Sequence, residues 1–149
     1  MKLPANWTLL PLRLIIGTGF LLHGLAKWQR GPAKFGVLLQ QIGVPFPAPT
    51  AWMVTCLEIF GGISVILGLF VTLISIPLII SMMVAMFTIH IHYGFSSINT
   101  IGLTPSGPVF GPPGYEINLL YIAGLLALTF SAPSSLSLDA LRSKKRTEP

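Results

Sequence analysis

IFGGISVILGLFVTLISIPLIISMMVAMFTI, residues 59–89, carries no charged side chain. A single helix of that length would overshoot a hydrocarbon layer roughly 30 Å thick. The run therefore reads as two spanning helices with a break between Gly68 and Pro77. Proline suits the first turn of a helix and disrupts its interior, so Pro77 predicts a helix start near Thr72 to Ser75. Pro11 marks the start of an earlier helix in the same way. Open strands are excluded, because their backbone groups would be unpaired in lipid.

Composition agrees with the pattern. The chain has 149 residues, of which 52% are hydrophobic and 9% charged, against about 25% charged in soluble domains. Mean hydropathy is +0.78. So few charges cannot cover a water-facing surface, and the solvent implied is lipid. Net charge is +5, and four of the nine basic residues lie in RSKKR, residues 142–146. That run reads as a membrane-flanking cluster, not as a nucleic-acid site. Cys56 is the single cysteine, so no intramolecular disulfide forms and the redox compartment is not legible. MKLPANWTLL lacks a cleavage signal, and the first span is read as retained.

Four spans are expected, at about residues 7–26, 51–71, 73–93 and 115–132, giving an all-α, integral membrane four-helix bundle. Residues 1–141 form one domain, and 142–149 a basic cytoplasmic tail. Between the first two spans, Phe35, Leu38, Leu39 and Ile42 recur at helical intervals, which predicts a short amphipathic helix lying on the membrane in the first outer loop. Residues 94–114 hold five glycines, four prolines and no charge, and read as a lid or binding loop. An even number of spans puts both termini on one side. The basic tail and Lys2 outweigh Lys27, Arg30 and Lys34, so both termini are expected in the cytoplasm and the long loops outside.

That topology sends ionisable residues of four helices to one level. His23 and Lys27 end the first span, His90 and His92 the third. Glu58 lies seven residues into the second, about 10 Å deep at 1.5 Å per residue, and Glu116 opens the fourth. Ionisable groups at membrane depth generally face a protein interior and mark function. The candidate pocket is therefore His23, Lys27, Glu58, His90 and Glu116, with Arg13 and His92 as a second tier. Plainer accounts exist for several. Lys27 and Arg13 are placed to snorkel, Arg13 alternatively reaching toward Glu58, and Glu116 suits a helix N-terminus. His90 and His92 are roughly 200° apart on a regular helix, which puts His90 inside and His92 at the rim. Cys56 is read as buried and inert. No metal is assigned. If one binds, His23, Glu58 and His90 are the candidate ligands, and two histidines on separate helices also suit haem.

These residues, in order, resemble the DoxX family of small four-helix membrane proteins. The resemblance is carried by RLIIGTGFLLHGLAKW, with Arg13, Gly17, Phe20, His23, Gly24 and Lys27; by CLEIFGGISVILGL, with Glu58, Gly61, Gly62 and Gly68; by AMFTIHIHYGF, with His90, Gly94 and Phe95; and by GYEINLL with Glu116 and LSLDALR with Asp139. His92 and the proline-rich 94–114 loop depart from it. It implies a protein of the cytoplasmic membrane associated with redox metabolism, with a quinone-linked oxidase complex as the eponym. The expected function is a redox-associated membrane subunit with an outer polar pocket for a quinone or small redox ligand. The alternatives are a non-catalytic binding or assembly partner, and a metal- or haem-binding protein. Cofactor identity stays open among quinone, haem and a transition metal. The partners expected are the lipid bilayer and a redox protein, with no nucleic acid, and catalysis itself is left open.

Overall fold

A computed structural model describes residues 9–131 and 136–147, with side chains to Arg142. The expected edges of the first and last spans and the Lys144–Arg146 side chains lie outside the described residues. Six helices run in the order α1 (Leu10–Arg30), α2 (Pro32–Gln41), α3 (Pro47–Leu67), α4 (Val71–Thr88), α5 (Glu116–Phe130) and α6 (Leu138–Thr147). Between α4 and α5 come a 3-10 turn, His90–Tyr93, and an antiparallel hairpin of β1 (Thr100–Thr104) and β2 (Gly107–Phe110). The hairpin lies inside the segment, residues 94–114, read from sequence as a lid or binding loop.

Helices α3 and α4 are long and apolar enough to cross a membrane. α1 matches α3 at 21 residues but carries Arg13, Lys27 and Arg30. α5 has 15 residues, about 22 Å at 1.5 Å each. The break in the uncharged run falls at Gly68–Phe70, earlier than Pro77 suggested. Gly68 and Phe70 both adopt the left-handed conformation, with φ of 65° and 51°. Glycine enters that region freely, whereas Phe70 is strained there. Arg142 of α6 lies over the Phe70 ring at 4.7 Å. Pro77 therefore sits inside α4 as its seventh residue, where it leaves one carbonyl of the preceding turn without its usual donor.

α1 packs on α3, α3 on α4, α4 on α5, and α5 on α1. The tightest contact is between α1 and α3. A Cβ on Gly17 would fall 2.8 Å from the Gly62 carbonyl, and one on Gly62 2.6 Å from the Gly17 carbonyl. The missing side chains let two backbones touch, the usual means of joining helices in lipid. The core beside them is small: Ile16, Phe20, Val65, Leu78, Leu125 and Leu128. Many large apolar side chains, Phe60, Leu73 and Ile80 among them, point outward. A water-soluble protein would not tolerate that surface.

The end where α3 turns into α4 is closed by α6. The Asp139 N–H donates to the Gly68 carbonyl at 3.1 Å, and the Asp139 carboxylate accepts from the Val71 N–H at 3.4 Å. Arg13, 5% exposed, donates to the Leu136 carbonyl at 2.7 Å. It therefore reaches away from Glu58, not toward it.

Candidate functional site

At the opposite end the helices separate around a cavity of about 1500 Å³. Glu58 is central. Its helix begins at Pro47, where proline is pre-organised for the first turn, and not near residue 51. Eleven residues, roughly 16 Å of helix, therefore precede it, and it sits farther along its helix than the sequence suggested. Its side chain is 2% exposed and accepts a hydrogen bond in an ion pair from Lys27 of α1. Gly24 makes the approach possible, since a Cβ there would meet the Ile59 N–H nitrogen at 2.8 Å and Glu58 Cβ at 3.0 Å. Lys27 also lies 5.1 Å over the Phe35 ring, which ties α1 to α2.

His23, one turn before Lys27, lines the same cavity as Glu58, Lys27 and His90. Its ring stands 6.3 Å from that of Tyr121. His90 lines the cavity from the 3-10 turn and places Nδ1 2.9 Å from the Pro113 carbonyl. A carbonyl only accepts, so this bond puts a proton on Nδ1. His92 is exposed and does not line the cavity.

Glu116 is also outside the cavity lining. Its carboxylate accepts from the Ser97 N–H at 2.9 Å and the Ser97 hydroxyl at 2.7 Å. Nearby, the Tyr115 N–H donates to Gly94 and the Glu116 N–H to Phe95. Gly114 lets these strands close, because a Cβ there would lie 2.2 Å from the Gly94 carbonyl oxygen. Glu116 thus anchors the base of the hairpin segment, through which His90 also bonds.

His23, Glu58 and His90 share the cavity without forming a metal centre. Among the described residues, no group of three or more His, Cys, Asp or Glu side chains is arranged to hold a metal ion.

Two cavity residues escaped the sequence reading. Asn118 is 2% exposed; its amide N–H₂ reaches the Met82 carbonyl at 3.4 Å, while its Oδ1 has no partner among the described residues. A buried carbonyl without a donor is costly unless a ligand or water supplies one. Tyr121 packs edge-on against Phe20 at 5.2 Å, with its hydroxyl in space left by Gly19. Apolar side chains make up most of the remaining wall. Phe35, Leu38, Leu39 and Ile42 of α2 all face it, so that stripe borders the cavity.

Fold and site together define a helical membrane protein with a largely apolar cavity that ionisable side chains line. The DoxX family model matches residues 8–91, and the chain belongs to that family. An uncharacterized membrane protein of Mycobacterium tuberculosis is 29% identical over 147 residues, spanning 91% of this chain and 82% of that relative. No solved structure matches the chain. The matched segment contains His23, Lys27, Glu58 and His90; Glu116 and the hairpin follow it.

Proposed function

We propose that the chain is a redox-associated subunit of the cytoplasmic membrane that binds a quinone, or a redox-active ring of similar shape, in this cavity. α1, α3, α4 and α5 are its four spans, with both termini cytoplasmic and the cavity toward the outer face. The observation that carries the reading is a largely apolar cavity whose lining includes Lys27, Glu58, His90 and Asn118, the last a buried amide whose Oδ1 has no donor among the described residues. A quinol hydroxyl supplies one, and an apolar tail fits the rest of the wall. Lys27 and its partner Glu58 offer a donor and an acceptor to the ring oxygens. When the quinol gives two electrons to a partner redox protein, His90 Nε2 and the Glu58 carboxylate accept the two protons released.

The test is titration of the purified protein with a short-tailed quinone. Saturable binding is expected, weakened about tenfold by Asn118→Leu, the cost of one buried hydrogen bond. No binding by the native protein, or identical binding by both, overturns the reading. A second reading, a non-catalytic binding or assembly role, is favoured by the Lys27–Glu58 pair, which joins α1 to α3 without any ligand. Native protein that binds no quinone but copurifies with a partner lost on Glu58→Gln supports it.

A further inference from the structure

The cavity has a second polar region, at the junction of α1 and α2. Arg30 closes α1, Lys34 lies in the first turn of α2, and both line the cavity. Between them Gly31, with φ 90°, turns the chain so that α2 starts against the same space. At the start of α2 Pro32 has no N–H and the Lys34 N–H donates to the Gly31 carbonyl at 3.0 Å, so the side-chain cations are what this end offers an anion. Lys27, one turn earlier, is neutralised by Glu58, but among the described residues no carboxylate pairs with Arg30 or Lys34. Two exposed cations without a carboxylate partner among the described residues therefore border one part of the cavity.

The wall that continues from this point is apolar. α2 contributes Phe35, Leu38, Leu39 and Ile42, and α3 adds Met53 and Leu57. The volume, about 1500 Å³, exceeds the roughly 300–1,000 Å³ of a site for a drug-sized molecule. A free inorganic anion would satisfy the cations and leave the apolar wall bare. A neutral hydrocarbon would do the reverse.

We propose that this end of the cavity binds an anionic membrane lipid. Its phosphate sits at Arg30, Lys34 and the start of α2, and an acyl chain lies along the apolar stripe of α2. The phosphate site uses none of the polar groups assigned to the quinone, although both ligands lie in one cavity, and separate titrations with lipid and with quinone distinguish the two readings.

The experiment is native mass spectrometry of the full chain in neutral detergent, titrated with phosphatidylglycerol and phosphatidylcholine. Preference for phosphatidylglycerol is expected. Arg30→Gln with Lys34→Gln should weaken its binding about thirtyfold, since each basic contact with an anionic surface is worth about fivefold. The charge-conserving pair Arg30→Lys with Lys34→Arg should retain the preference, which separates charge from folding. Quinone titration should be unchanged in both double variants. Equal binding of the two lipids by the native chain overturns the proposal, as does undiminished phosphatidylglycerol binding by the Gln pair. Displacement of the lipid by equimolar glycerol phosphate also overturns it, because the acyl chain would then contribute nothing.

Discussion

Glu58 and Lys27 are the two side chains whose fates are most tightly bound together. Removing one partner leaves the other charged and poorly solvated, while removing both leaves a smaller deficit. Lys27→Ala should therefore destabilise the protein more than Glu58→Ala does, because it strands Glu58 at 2% exposure, whereas the Lys27 left by Glu58→Ala keeps 23% and can snorkel. The cost for Lys27→Ala should approach the roughly 3 kcal/mol at the low end for buried pairs. Adding Glu58→Ala to Lys27→Ala should recover part of it, and thermal denaturation of the four proteins in one detergent measures the coupling. Strict additivity would show that the pair holds nothing together. Glu58→Gln should also impair function in a complementation assay more than Glu116→Gln, since an amide at 116 can still accept from Ser97. His23, Lys27, Glu58 and His90 were legible because an ionisable group inside an apolar run is conspicuous. Asn118 and Tyr121 were not. An uncharged polar residue is unremarkable in such a run, and only coordinates reveal that an amide oxygen has no donor.

At the scale of elements, the contact between α1 and α3 decides how close Lys27 comes to Glu58. In an exposed helix interior, Gly→Ala gains up to about 1 kcal/mol from propensity. At Gly62 the sign reverses, because the new methyl would lie 2.6 Å from both the Gly17 carbonyl and the Leu21 nitrogen. Backbone cannot rotate aside, so Gly62→Ala should destabilise by about 1–3 kcal/mol, as overpacking does. Gly36→Ala of α2 is the control: its Cβ would make ordinary contacts at 3.6 Å and should be neutral or stabilising. Denaturation midpoints in the same detergent compare them, and equal effects would refute the backbone contact. Helix existence was legible from hydrophobic runs, and boundaries less so. Pro47 and Pro49 look like loop residues in sequence, yet they open α3, and this moved Glu58 to mid-helix. The hairpin was hidden because Pro105, Pro108 and its glycines argue against strands, and because its side chains, Leu103 at 83% exposure included, show no alternating burial.

For the whole molecule, the two ends differ in charge, and that difference sets orientation in the membrane. α1 and α3 run antiparallel, so Arg13 and α6 lie at one end and Lys27, Arg30 and Lys34 at the other. Among residues flanking the helices, the first end has Lys2, Arg142, Lys144, Lys145 and Arg146 in sequence, and the second has three cations, one of them neutralised by Glu58. Positive charge is retained on the cytoplasmic side, so the margin favours a cytoplasmic α6 but is narrow. Replacing Lys144, Lys145 and Arg146 by Gln leaves Lys2 and Arg142 at the first end, level with the two uncompensated cations at the second, while leaving Arg142 over Phe70. The readout is a Leu103→Cys probe on the exposed hairpin, in a Cys56→Ala background, labelled by a membrane-impermeant maleimide in intact cells. The native charge set should label fully from outside, and the triple-Gln variant should leave a substantial protected fraction. Complete protection of the native set would put the cavity on the cytoplasmic face and send its ligands in from that side. Full labelling of both would mean that orientation is fixed by something other than the tail, with the buried Arg13–Leu136 bond at the same end as the next feature to remove.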